Sequence, residues 1–324
     1  MSDVRQIPLS GQAISPEDLN RHTTLRDSIS VYQAALLRDG KSLHTVKAFT
    51  SDLQLLGEHA GETTPLGDFT TTRLNEFLEW LELGRGVPCS RKTYARRVTT
   101  LKAFFKWLHA NSVLGSDPAK PVLQRSGPAP LSHVLSPAQA DACLAYTGRL
   151  RKAEKPDARP ELLFRLQYET GIKKSETMVL LPTDFDRLNP TRPILNIRHK
   201  SAKDPYRERR IPVSPDLVAA LDEYLAQYTP KDVIFNCTAR NLEYVLEDVG
   251  VEAAIPFKLS FEIMRWSSAV RDYRAAMEPT EIRDRLGLSP VSWTESFAKV
   301  KRLTERQLQD EDMLAAKADK QPEA

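Results

Sequence analysis

From residue 24 onward, apolar side chains recur three and four positions apart, the period of a helix with one buried stripe. Leu25, Ile29, Tyr32 and Leu36 make the first stripe, which Gly40 closes. Ser42 stands where an N-cap belongs, and Val46, Phe49, Leu53 and Leu56 form a second stripe that ends between Gly57 and Gly61. "TTTRLNEFLEWLELG" and "SRKTYARRVTTLKAFFKWLHANSVL" add another helical pair, with Val98, Leu101, Phe105 and Leu108 on one face. The pattern predicts an all-helical domain over residues 24–120, preceded by a loose polar arm over 1–23.

Pro, Ser and Gly then break the periodicity, which predicts a linker over 121–135. A new helix opens at "SPAQADACLAY", with Ser136 as cap, Pro137 at the first helical position and Gln139 completing a capping box. After "ELLFRLQYETGIKKSETMVLL" the period shortens: "PILNIRHK" and "RERRIPV" alternate like two strands joined by "SAKDPY". The remainder returns to helical spacing. A second, α-rich domain with a small antiparallel sheet is expected over 136–303, followed by a charged, mobile tail over 304–324. The fold class is mainly α.

A length of 324 residues, 41% of them hydrophobic and 27% charged, suffices for two cores. Cys89, Cys143 and Cys237 form no CxxC, and the six histidines show no ligand spacing, so neither a metal, a cofactor nor a disulfide is expected. No apolar run approaches the ~18 residues that a membrane span needs, and "MSDVRQIPLSGQ" lacks the order of a signal peptide. A cytoplasmic protein without membrane contact is the expectation. A net charge of +3 and a pI near 8.6 permit a polyanionic partner without demanding one.

Local clustering is more informative. Arg91, Lys92, Arg96, Arg97, Lys102 and Lys106 lie within one predicted helix that contains no acid. A charge run is commonly a solvated face, but six cations without a carboxylate argue for a phosphate surface. Lys41, Ser42, His44, Thr45 and Lys47 surround another helix start, where free backbone N–H groups also favour anions. In the second half, "TGIKKSE", "RHKSAKDPYRERR" and "EIMRWSSAV" each hold basic groups at an element boundary, as a phosphate site would require.

In this order the clusters resemble the tyrosine recombinase, or phage integrase, family along nearly the whole chain. "SLHT" and "SRKT" (Ser90 to Thr93) resemble the two Ser-x-x-Thr helix starts of the family's SAM-like core-binding domain. "TGIKKSE", "RHK…RRIPV", "EIMR" and "LGL" resemble the motifs of its catalytic domain. The resemblance implies cleavage of DNA by a tyrosine oxygen, with two arginines and a histidine stabilising charge and a lysine protonating the leaving oxygen. It places Lys173 at the first arginine position, Lys200 (with Lys203 as rival) at the lysine, Glu262 at the early histidine, Arg265 at the second arginine, Leu288 at the late histidine and Phe297 at the nucleophile.

Phe297 has no oxygen, no tyrosine follows Tyr273 and no histidine follows His199. Trp293 is a displaced aromatic or a packing residue. Glu262 is expected to turn to Arg265, three residues along the helix, and to compete with DNA for it. These substitutions lead to the expectation of a non-catalytic, nucleoid-associated protein that clamps duplex DNA between two domains, with Lys41, Ser42, His44, Thr45, Lys47, Arg91, Lys92, Thr93, Arg96, Arg97, Lys173, Lys200, Lys203 and Arg265 in contact. Such a protein would have an architectural, regulatory or accessory role. The alternative is a recombinase subunit that acts with a partner or through another nucleophile, with Ser292, Thr294 and Ser296 as candidates. A module for protein contacts alone is the third reading. Self-association, or pairing with a related recombinase, is expected through the C-terminal region.

Overall fold

The computed structural model describes residues 15–123, 131–199 and 205–318, and the chain divides into two compact units, residues 1–130 and 131–324. In the first unit, α1 spans Leu25–Arg38, α2 Leu43–Ala60, α3 Thr71–Glu79 and α4 Arg91–Ala110, with one π-helical turn at Trp80–Gly84. Each helix begins at a hydroxyl residue, Thr24, Ser42, Thr70 or Ser90, whose side chain accepts the backbone N–H three positions on. The predicted stripes converge on Phe77, Phe104 and Phe105, all fully buried. Each such side chain contributes roughly 1.5–3 kcal/mol relative to exposure. Within the arm predicted over 1–23, Pro16–Asp18 form a 3-10 turn and Leu19 is buried in this core, so the described part of the arm is anchored at Leu19.

The second unit is built around α6 (Arg159–Thr170), in which Leu162, Leu163, Phe164 and Leu166 are all fully buried. Apolar residues on every side of so short a stretch mark a helix surrounded by others. It is preceded by α5 (Pro137–Arg151), whose Ser136–Gln139 capping box forms as predicted, and followed by the single turn α7 (Lys174–Thr177). Then come β1 (Phe185–Asp186), β2 (Ile194–Ile197) and β3 (Arg209–Pro212), an antiparallel sheet in the order β1-β2-β3 with Leu195 opposite Ile211. The predicted hairpin is β2 and β3; β1, with two residues, is too short to show a period. Next are α8 (Pro215–Tyr228), α9 (Ala239–Glu252), α10 (Phe261–Arg274), α11 (Pro279–Leu286) and α12 (Pro290–Ala318).

Two boundaries differ from expectation. Val122 is buried in the first core, whereas Val134 and Leu135 are buried in the second unit, so both ends of the predicted linker are packed. The predicted mobile tail is helical through Ala318. The buried face of Val300 and Leu303 on α12 continues into the tail through Thr304 and Gln307. Gln307 Nε2 donates to the Leu135 carbonyl at 2.7 Å, and Arg274 pairs with Glu311 at 2.6 Å.

Candidate nucleic-acid interface

The starts of α2 and α4 have nearly the same geometry. Ser42 and Ser90 adopt φ/ψ of −62°/148° and −63°/149°, and their hydroxyls lie 3.0 and 2.9 Å from the hydroxyls of Thr45 and Thr93. Lys41, Ser42, His44 and Lys47 are exposed around the first, and Arg91 and Lys92 around the second, while Thr45 and Thr93 are half-buried. A helix N-terminus flanked by exposed cations is receptive to phosphate oxygens.

Arg96 and Arg97 are placed differently from the solvated basic face that the sequence suggests. Asp52, on α2 and only 3% exposed, reaches into α4. Its Oδ2 accepts from Arg96 at 2.5 Å and from Thr100 Oγ1 at 2.9 Å, while Arg97 Nε is 3.6 Å from Oδ1. Arg97 also donates to Cys89 Sγ at 3.2 Å. The acid missing from the α4 sequence thus comes from a neighbouring helix. Burial holds the Asp52 carboxyl above its ordinary value, against the opposing pull of Thr100 and the two arginines.

In the second unit a cationic site forms where α6 gives way to α7. Gly171 ends α6 in the left-handed region, at φ 59°, and a side chain there would collide with Leu286 and Ser268. Arg265, on α10, donates to the Gly171 carbonyl and, at 2.6 Å, to the Leu286 carbonyl, bridging this turn to the end of α11. Lys173 follows within the same turn, with Nζ 3.4 Å from the Gly287 carbonyl. Glu176 is met by both terminal nitrogens of Arg209, at 3.1 and 2.9 Å, and by the Lys173 N–H at 2.8 Å. Arg209 Nε donates to the Arg285 carbonyl at 2.7 Å. Gly287, at φ 58°, leaves room for that guanidinium, since a Cβ there would lie 2.8 Å from it.

The charge states follow from this crowding. Burial lowers the Lys173 ammonium below its ordinary value; Glu176 opposes the shift, and Arg265, Arg207 and Arg209 reinforce it. Burial likewise lowers Arg265 to about 10, still protonated at neutral pH. Burial alone would raise Glu176, but the hydrogen bonds and charge of Arg209 reverse it, leaving the carboxyl below its ordinary value. The site therefore holds a lysine and an arginine on two backbone turns, braced by a buried arginine–carboxylate pair, and could receive an oxyanion.

The expected contact between Glu262 and Arg265 does not form. Glu262 is 62% exposed; it accepts from Trp266 Nε1 at 3.4 Å and lies 3.5 Å from Lys299 Nζ, which sits 4.2 Å over the Trp266 ring. Residues three apart on a helix are neighbours, but the cation that meets Glu262 comes from α12. Phe297 stacks on Trp293 at 5.3 Å and meets Tyr273 edge-on at 5.6 Å. Leu288 packs in the same cluster, as does Trp293, which takes the packing role. Lys200 and Lys203 lie outside the described residues. Thus the structure brings together Lys173 and Arg265, and gives the two Ser-x-x-Thr helix starts of the first unit nearly the same local geometry. Sequence reasoning missed Glu176, Arg209 and Asp52. A lone carboxylate within "TGIKKSE" and the dense "RERR" were the available signals for the first two.

Residues 29–111 match the family described as "Phage integrase, N-terminal SAM-like domain". Tyrosine recombinase XerC of Mycobacterium sp. (strain KMS) is 26% identical over 289 residues, spanning 85% of this chain and 93% of that protein. Tyrosine recombinase XerC of Myxococcus xanthus is 27% identical over 303 residues, spanning 86% and 94%. The solved structure of XerH site-specific recombinase bound to palindromic difH substrate, a post-cleavage complex, shares the fold with a TM-score of 0.68 at 16% identity, covering 92% of this chain and 91% of that one. Relatives spanning most of the chain are named as recombinases, which are enzymes, and this overturns the expectation that the chain is not an enzyme. With recombinases aligned along most of its length and their fold in three dimensions, this chain is similar to the tyrosine recombinases in sequence and in fold.

Proposed function

We propose that this protein binds duplex DNA and takes part in site-specific strand exchange as one subunit of a recombinase assembly. The helix starts at Ser42 and Ser90 contact phosphates from the first unit. In the second, Lys173 and Arg265 hold the phosphate to be attacked, and Lys200, or its rival Lys203, protonates the leaving oxygen. The observation that carries this reading is the site around Gly171 and Gly287, where Arg265 is tied to two carbonyls and Lys173 is half-buried beside it. Preorganised cations of this kind stabilise charge that develops in a transition state.

Phe297 has no oxygen with which to attack. The Ser296 hydroxyl donates to the Ser292 carbonyl at 2.8 Å, and the Ser292 hydroxyl pairs with Ser289 at 3.0 Å. In this reading the attacking tyrosine therefore comes from a related subunit. Its hydroxyl proton passes to water as its oxygen bonds to phosphorus, the phosphorus–oxygen ester bond breaks, and the leaving oxygen takes the lysine proton. The structure of lambda integrase (residues 75–356) bound to DNA, similar in fold, supports a DNA ligand. Such a ligand places the protein with the nucleoid, in the cytoplasm.

The test begins by crosslinking the protein to DNA in cells and sequencing the captured fragments. A nicked duplex carrying the recovered site is then incubated with this chain and a tyrosine-bearing recombinase from the same cells. A covalent protein–DNA band is expected, with Lys173→Ala or Arg265→Ala lowering its yield by roughly a hundredfold while duplex binding falls much less. Failure to bind duplex at low salt, or a yield indifferent to both residues, would remove the proposal.

A further inference from the structure

The Asp52 cluster has no part in the second-unit site, and its geometry has a direction. Arg96 NH1 points inward, to Asp52 Oδ2 at 2.5 Å and to the Ala48 carbonyl at 3.2 Å. That nitrogen has two hydrogens and meets two acceptors, both on α2. The side chain nevertheless remains 40% exposed. Its guanidinium is therefore held by one edge, with its plane fixed, while part of it reaches solvent. Arg97, by contrast, is 11% exposed and lies between Asp52 and Cys89. Thr100 fixes the carboxylate itself, its hydroxyl bridging Asp52 Oδ2 at 2.9 Å and the Arg96 carbonyl at 3.2 Å.

We infer that Asp52 is a positioning residue for DNA: it anchors the inner edge of Arg96 so that the outer edge is presented to a backbone phosphate. The inference rests on the reading of the protein as a duplex binder. A long cation free in solvent must be immobilised on binding, whereas an anchored one has already lost that freedom. The guanidinium suits the arrangement because it is planar and has donors on both sides; an ammonium has no second edge to present while the first is held. Asp52 lies within the first unit's interior, so it acts through Arg96 and not by touching DNA.

Charge and position make opposite predictions for Asp52→Asn. If only charge mattered, loss of a carboxylate would tighten binding to a polyanion and steepen the salt dependence. If position matters, Asn keeps a hydrogen-bond acceptor for Thr100 but loosens Arg96, and affinity falls. The experiment is a fluorescence titration of a labelled duplex with the full chain at several salt concentrations, for wild type, Asp52→Asn, Arg96→Ala and the double variant. We expect Asp52→Asn to weaken binding by about three- to tenfold, and to have no further effect once Arg96 is alanine. Circular dichroism checks that each variant is folded. Should Asp52→Asn fail to fold, Arg96→Lys tests the same point, since it keeps the charge and removes the second edge; a similar loss is expected. Tighter or unchanged binding by Asp52→Asn, an undiminished effect in the Arg96→Ala background, or wild-type affinity of Arg96→Lys would overturn the inference. A wild-type chain that does not bind duplex would instead remove the functional reading on which it rests.

Discussion

In the first unit Asp52 lies between Arg96 and Arg97, touching one of them closely and the other at 3.6 Å; in the second, Glu176 receives both terminal nitrogens of Arg209 and a backbone N–H besides. Asp52 is buried and Glu176 largely so, yet their acidities shift in opposite directions. Burial keeps Asp52 above its ordinary value, whereas Arg209 overcomes burial and holds Glu176 below it. The difference lies in the geometry of the partner. A fork that meets both carboxylate oxygens supplies more stabilisation than two arginines approaching singly. It also decides what each arginine is free to do: Arg209, 6% exposed, is a brace, while Arg96, 40% exposed, still faces outward.

The largest expected effect tests this contrast directly. Arg209→Ala strands Glu176 in the interior and should destabilise the second unit by about 3–5 kcal/mol. Asp52→Ala strands two arginines, but Arg96 can turn into water, so the first unit should lose only about 1–3 kcal/mol. Hydrogen exchange on the full-length chain reads the two units separately. Equal losses, or a greater loss in the first unit, would break the comparison.

Acidification gives a second, smaller separation. The folded pKa of Glu176 is lowered from 4.5, so in that window the unfolded chain binds more protons. Its contribution is complete above the ordinary carboxylate range and is lost as pH falls through the folded value. Asp52 is raised from 3.8, so the folded chain binds more protons, and its contribution is greatest in acid and declines as pH rises through the window. We expect the pH slope of stability to flatten in opposite senses in the two units when Glu176→Gln and Asp52→Asn are compared with wild type. A tenfold change in acidity between the folded and unfolded chain is worth about 1.4 kcal/mol, which exchange rates between pH 3 and 6 would resolve. Slopes of the same sign would mean that both carboxylates are held alike.

Local features were legible because their causes are local. The caps at Ser42, Ser90 and Ser136, the stripe Val98–Leu101–Phe105–Leu108 and the β2–β3 hairpin all depend on neighbours within a few positions, and all appear. The buried ion pairs were not legible. Asp52 and Arg96 are 44 residues apart, and Glu176 and Arg209 are 33 apart, so the acid that neutralises each cation lies outside any window in which a charge run is judged. The second-unit site was half legible: its motifs located Lys173 and Arg265, while the carbonyl cage around Arg265 depends on how Gly171 and Leu286 come together. The helical end of α12 was obscured for another reason, since its buried face includes the polar residues Thr304 and Gln307.

The smallest expected effect concerns Glu262. Had it been paired with Arg265, neutralising it would have freed a phosphate-binding arginine and tightened binding by something on the order of 1 kcal/mol. Instead it lies at the surface, where its neighbours are Trp266 and Lys299, and where water screens most of what the pair contributes. Arg265 is meanwhile held by the Gly171 and Leu286 carbonyls, which no change at Glu262 disturbs. Glu262→Gln should therefore leave both DNA affinity and stability within about 0.5 kcal/mol of wild type. Parallel duplex titrations and thermal melts of the two proteins measure both quantities. A tightening near 1 kcal/mol would mean that the carboxylate turns to Arg265 in solution, and that the second unit, like the first, holds its outward arginine by a carboxylate.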